Sequence, residues 1–197
     1  MDKQIFMTKQ DRLVFSDTGR ALLCLNEKEV TVTRPKSGAD PSSGETEEAT
    51  MYEYDTMWLG SEKKRVENDA DALSAAKDYM LSLIEAYDSS CNINSFALGE
   101  NVMWFDKEYR SILMRRFQAE ASAGLSDTKI WDGTTAIDIS IANAESFMNQ
   151  LEVYAGKCFD TTTGHKAAVE ALTTIEEVLA YNYKTGYPDK INLNINK

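Results

Sequence analysis

The sequence predicts an α+β fold of two modules: a small β-rich N-terminal module with one covering helix, then a mainly α C-terminal module of helix, β-hairpin, helix and helix. Three observations carry this expectation. Residues 51–58, MYEYDTMW, alternate with the period of two that a half-buried strand shows. Ala168, Val169, Leu172, Ile175, Val178 and Leu179 recur at three- and four-residue steps, which is one face of a helix. Pattern and charge both change near residue 100. Residues 1–100 hold 11 Lys and Arg against 19 Asp and Glu, a net of −8; residues 101–197 hold 10 against 13, a net of −3. The modules are therefore expected at 1–100 and 101–197.

In chain order, residues 12–15 and 21–25 read as short strands around the turn chemistry of Asp17, Thr18 and Gly19. Residues 29–33 alternate polar and apolar until Pro35 stops them. Residues 35–48, rich in Pro, Ser, Gly and acid, read as an exposed, mobile loop between two strands. In the strand that follows, Tyr52, Tyr54, Thr56 and Trp58 share one face. That set suits either packing of a small sheet against a helix or contact with a peptide or sugar. Residues 66–87 form the covering helix, with Leu73, Ala76, Met80, Leu83, Ile84 and Tyr87 on one face. Asn68, Asp69 and Asp71 suit its N-terminal dipole end.

In the C-terminal module, Asp106 caps a helix that runs to about residue 123 and is closed by Gly124. Its apolar line is Tyr109, Ile112, Leu113, Phe117 and Ala121; Arg110, Arg115 and Arg116 lie mostly off that line, as an anion clamp or a solvated basic face. A hairpin is expected at about 128–139, around Asp132 and Gly133. Ser140 or Asn143 opens the next helix, whose inner face holds Leu151, Tyr154, Ala155 and Cys158. Asp160, Thr161, Thr162, Thr163 and Gly164 favour caps and turns, so a tight corner is expected there between two antiparallel helices. Thr174 and Glu177 have the spacing of a capping box, where the second helix kinks or restarts.

The 197 residues, 43% hydrophobic and 27% charged, suit a globular protein with a sizeable core. A net charge of −11 argues against nucleic acid and against anionic membrane surfaces as partners. No apolar run approaches the roughly 20 residues of a membrane span. The opening MDKQIFMTKQDR lacks the basic end and apolar stretch of a secretory leader. Cys24, Cys91 and Cys158 are odd in number and far apart, with no CxxC, so free thiols are expected and a zinc site is not.

Several groups of residues then carry a likeness. Trp104, Phe105, Asp106, Lys107 and Arg110 are followed by Ile130, Trp131, Asp132 and Gly133, then by Leu151, Glu152, Tyr154 and Ala155. Cys158, Phe159, Thr161, His165, Lys166, Val169, Leu172 and Ile175 continue it, and Ala180, Tyr181, Asn182, Tyr183, Gly186, Tyr187 and Pro188 complete it. Over about residues 101–195 this order resembles an uncharacterised domain family of proteins from the tail regions of tailed phages and prophages. Asn182 departs from the family, which has Asp there. The acidic loop followed by MYEYD resembles the front part of such proteins more weakly. The resemblance implies a tail-associated protein: a fibre component, an adaptor or a fibre-assembly factor. It implies partners among tail or tail-fibre proteins, residence in the bacterial host cytoplasm during synthesis and in the virion for a structural component, and supplies no catalytic residue.

The residues themselves agree on chemistry. His165 is the one histidine, placed at a helix start where a structural role explains it better than a triad does. Glu176 and Glu177 diverge by about 100° on a helix, so they cannot converge on one bond, and Asp132, which could pair with Asp127, is better explained by its turn. No phosphate loop, GxSxG or HExxH occurs. No catalytic, cofactor or metal residues are therefore assigned. The expected partner contacts are Tyr52, Tyr54 and Trp58 in the first module and Tyr181, Tyr183 and Tyr187 in the second; the latter three also suit a packed C-terminal clasp. The favoured reading is a non-enzymatic structural or adaptor protein. A fibre-assembly chaperone stands second and a carbohydrate-active enzyme a distant third; self-association is compatible with each.

Overall fold

A computed structural model describes residues 1–38, 40, 42–61, 64–99 and 101–193, apart from the side chains of Asp132, Thr135 and Leu193. The fold is α+β. Its elements are β1 (Asp2–Phe6), β2 (Leu13–Phe15), β3 (Ala21–Pro35), β4 (Thr46–Leu59), α1 (Asp69–Asp88), β5 (Phe96–Leu98), β6 (Asn101–Met103), α2 (Lys107–Ser122), β7 (Asp127–Asp132), β8 (Thr135–Ser140), α3 (Ile141–Ala171), α4 (Ile175–Ala180) and β9 (Asn192–Leu193). By packing, the chain forms two compact units. The first comprises Met1–Tyr79 with Thr173–Leu179, and the second Met80–Leu172 with the chain from Ala180 onward. The division thus falls inside α1, where the change of composition puts it near residue 100.

The first unit is built on an antiparallel sheet of order β1-β4-β3-β2. β3 and β4 pair along their whole length, from Ala21 opposite Leu59 to Pro35 opposite Thr46. One bulge interrupts them: between Leu25 and Lys28, β3 advances one residue more than β4, and Asn26 takes a positive φ of 54°. Asparagine tolerates that left-handed conformation better than most residues, and its side chain bonds Asp55 at 2.8 Å. Leu22, Cys24 and Tyr54 are buried on one sheet face, with Phe6, Val14 and Tyr52 packed against them. The N-terminal half of α1 buries Ala72, Ala75 and Ala76, and Asn68 caps it by accepting from the Asp71 amide at 2.9 Å.

The second unit packs around α2, α3 and three phenyl rings. Phe96 lies 5.2 Å from Phe105 and 5.1 Å from Phe147, centre to centre, and all three are nearly sealed from solvent. Burial of each ring is worth about 2 kcal/mol, and edge-to-face contacts add to it. α2 starts as expected: the Asp106 carboxylate accepts from the Tyr109 amide at 2.7 Å. Gly124 follows its end with a φ of 81°. β7 and β8 form the expected hairpin, but Gly133 and Thr134 make its turn, one residue later than the Asp132-Gly133 reading. Gly133 carries the positive φ such a two-residue turn needs.

Three expectations are corrected. Residues 46–48 belong to β4 and not to a loop, and residues 21–35 are one strand and not two. The corner at 160–164 does not exist either: α3 runs unbroken through it for 31 residues. The threonines there find partners that helix geometry allows. The Thr161 hydroxyl donates back to the Lys157 carbonyl at 2.9 Å, and the Thr162 hydroxyl reaches Asp88 at 2.7 Å. The break comes at 172–174 instead. There Glu177 accepts from the Thr173 and Thr174 amides, while the Thr174 hydroxyl accepts from the Glu177 amide, which is the anticipated capping box restarting the chain as α4.

A substitution separates these two readings of residues 160–164. Gly164 sits mid-helix with nothing within 4 Å of an added Cβ. Gly164→Ala should stabilise the protein by about 0.5–1 kcal/mol, because alanine gives up less backbone freedom in a helix. A chemical denaturation midpoint that falls would mean the residue needs a conformation only glycine adopts.

Candidate partner-binding surfaces

The aromatic strand is split in its roles. Tyr54 is only 3% exposed, and its hydroxyl accepts from the Gln10 amide at 3.0 Å and donates to Glu27 at 2.9 Å. Burial pushes the Tyr54 phenol up. Lys9, pairing at 2.7 Å, and then Tyr54 hold the Glu27 carboxyl below its usual range. Tyr54 is thus occupied within the chain. Tyr52 is half-buried beneath the Lys9 ammonium, 5.4 Å from its ring centre. Trp58 stands 44% exposed under the Arg20 guanidinium.

Beyond the bulge, β3 and β4 leave the rest of the sheet. β1 reaches only as far as Tyr52, and β2 pairs only with residues 21–23 of β3. Residues 30–35 and 46–51 therefore pair only with each other, as a two-stranded ribbon about 17 Å long at 3.3–3.4 Å per residue. Val30, Val32, Ala49 and Met51 line one of its faces, each half-buried, and a Arg34–Glu47 ion pair at 2.8 Å closes that stripe. Thr31, Thr33, Glu48 and Thr50 line the other face. Both edges carry backbone donors and acceptors with no neighbouring strand among the described residues. The connection at its end, expected as a loop, includes residues 39 and 41, which lie outside the described residues. Around them, the Lys36 amide bonds the Glu45 carbonyl at 3.0 Å.

The three C-terminal tyrosines form the clasp. His165 lies inside α3, where its Nε2 donates to the Thr185 carbonyl at 2.9 Å and its Nδ1 meets the Tyr181 hydroxyl at 2.8 Å. A neutral ring with its proton on Nε2 satisfies both, with Tyr181 donating. The Thr162 hydroxyl gives its one proton to Asp88, so the Tyr187 hydroxyl donates to Thr162 at 3.0 Å. Tyr87 packs against Tyr183 and Tyr187 at 5.7 and 5.5 Å. Tyr181, Tyr183 and Tyr187 are each half-buried with partners inside the chain.

The three arginines of α2 do not converge. Arg110 is 6% exposed, bonds Glu152 at 2.7 Å and the Phe105 carbonyl at 2.7 Å, and lies 5.5 Å from the Trp104 ring centre. Arg116 pairs with Glu120 at 2.8 Å, and Arg115 donates to the Ser111 carbonyl. Glu176 is bidentate to Arg12, which holds its carboxyl below the usual range, while Glu177 caps α4. Asp127 accepts from Ser126, and the side chain of Asp132 lies outside the described residues. Among the described residues no group of three or more His, Cys, Asp or Glu is placed to hold a metal ion, and no helix is long and apolar enough to cross a membrane.

Two concavities were not legible in the sequence. One is a groove of about 700 Å³ along the outer face of α3, lined by Ala142, Asn149, Val153, Pro188 and Ile191 among others. The other, in the first unit, brings Trp58 and Tyr79 together. Tyr79 lies off the apolar face of its helix, which was the one available signal.

The clasp and the cysteines each make a measurable claim. Thr162→Val should cost about 1–2 kcal/mol in urea unfolding, since it strips a donor from Asp88 and an acceptor from Tyr187, and Thr162→Ser should recover most of it. Cys24 and Cys158 are buried and Cys91 exposed. A thiol reagent should therefore modify Cys91 quickly in the native protein and the other two only on unfolding. Burial pushes the Cys158 thiol up, so its stabilising contribution is complete at neutral pH and is lost as pH rises past the ordinary thiol range.

Comparison with protein-family models, with curated proteins and with solved structures finds no match for this chain.

Proposed function

We propose that this chain is a non-enzymatic structural or adaptor protein of a phage or prophage tail, which docks a tail or tail-fibre protein along the β3–β4 ribbon. The ribbon is the observation that carries the docking half of this reading. A strand added to either edge would find unpaired N–H and C=O groups at the 4.7–4.9 Å spacing of a sheet. It would also extend the apolar stripe of Val30, Val32, Ala49 and Met51, which the chain leaves half-covered. The assignment to a tail comes from the order of residues over 101–195 and its resemblance to tail-region proteins. Tyr181, Tyr183 and Tyr187 supply rigidity in this reading, and the first unit supplies contact.

The test shortens the ribbon without touching the sheet. Val30 and Met51 are direct partners, so an Asn-Gly turn can replace residues 31–50 between them. The shortened protein should keep a cooperative thermal transition and be lost from purified particles in which the full chain is present. Incorporation at the full-chain level would place docking elsewhere. A full chain that binds fibre protein in lysate yet is missing from particles would make it an assembly chaperone. Absence from both would overturn the tail assignment.

A further inference from the structure

Trp58 and Tyr79 face one cleft of about 280 Å³ in the first unit, with Gly60, Ser61, Lys64 and Asp78 among its other walls. Both residues are more than two-fifths exposed, at 44% and 43%. One wall of the cleft has a backbone conformation that only glycine permits. Gly60 has a φ of 86°, and a Cβ there would lie 2.7 Å from Val66 and 3.0 Å from the Lys64 carbonyl. The Ser61 and Lys64 backbones bond each other in both directions just after Gly60, which places Lys64 at the rim. Its ammonium then donates to Ser74 at 2.9 Å and pairs with the Asp78 carboxylate.

We infer that this cleft binds a neutral saccharide held against both Trp58 and Tyr79, with its hydroxyls on Asp78, Lys64 and Ser61. The chemistry selects among ligand classes. A quaternary ammonium wants electron-rich ring faces and unpaired negative charge. Here the Arg20 guanidinium already lies 5.1 Å from the Trp58 ring centre, and Lys64 neutralises Asp78. A phosphate wants unopposed donors, and Asp78 opposes it. A sugar carries no charge, presents a face of C–H bonds to an aromatic ring, and has hydroxyls that both donate and accept. The paired carboxylate and ammonium answer both halves of that hydroxyl, one accepting and the other donating. This site is separate from the ribbon and uses no residue of it.

The experiment is calorimetric titration of the full chain with maltose, lactose, cellobiose and diacetylchitobiose, each up to its solubility limit, alongside choline, inorganic phosphate and adenosine. At least one disaccharide should bind and the three control ligands should not. Trp58→Ala and Tyr79→Ala, both at exposed positions, should each weaken that binding by roughly tenfold or more. Asp78→Asn should weaken it as well, with the thermal transition of all three variants retained. No disaccharide binding, binding of a control ligand in its place, or sugar binding indifferent to Trp58→Ala and Tyr79→Ala would each overturn the assignment.

Discussion

The pairing of β3 with β4 is the constraint on which the first unit depends. Where the two strands share neighbours they bury Leu22, Cys24 and Tyr54, so the same ladder that sets register also builds core. Past Tyr52, two pairs beyond the bulge, the neighbours stop among the described residues and the ladder continues, which turns a sheet into a ribbon. At the other end β4 finishes at Leu59, Gly60 takes a positive φ, and the Val66 amide bonds the Gly19 carbonyl at 2.9 Å. Ribbon, buried tyrosine and aromatic cleft are thus three stations along one hydrogen-bonded pair. Their functional content differs because their neighbours differ.

The second unit spends its residues otherwise. Phe96, Phe105 and Phe147 come from a strand, the segment just before the α2 cap and a long helix, and their contacts tie together segments far apart in the chain. Arg110 completes this packing from within: a charge nearly sealed from water is tolerable because Glu152, a carbonyl and an indole face satisfy it. Glu152 itself is half exposed, so solvent shares the cost of the pair. Tyr181 and Tyr187 then fix that segment to α3 through hydroxyls with complementary roles, while Tyr183 packs on the Tyr87 ring. Aromatic residues that read as partner anchors in a bare sequence are satisfied at home.

How much of this was legible follows local against long-range determinants. The α2 cap at Asp106, the opening of α3 at Ser140 and the box of Thr174 with Glu177 rest on side chains within a few residues of one another, and they read correctly. The continuity of β3 did not, because the bulge at Asn26 puts Leu23 and Leu25 on the same face as Val30 and Val32, and no single period of two spans both. The run Asp160 to Gly164 has the composition of a corner, yet Thr162 meets Asp88, 74 residues earlier in the chain, and that partner cannot be seen from local propensity. β1, β5, β6 and β9 were missed for a related reason: short strands carry too few residues for a pattern, and only their pairing defines them. The Trp58 and Tyr79 cleft joins a strand to a helix, so neither residue announces the other.

The ribbon also bears on how the chain can vary in descent. Its register is held by pairs on both strands, so a residue gained inside either strand must be absorbed by a second bulge or must turn Val30, Val32, Ala49 and Met51 to the opposite face. The stretch joining Pro35 to Thr46 is under no such discipline, because the closure cost of a loop grows only slowly with its length. Insertions and deletions among relatives of this chain should therefore gather between those two residues, while the lengths of β3 and β4 hold constant. That segment is likewise where a foreign peptide could be grafted with the least disturbance to the sheet.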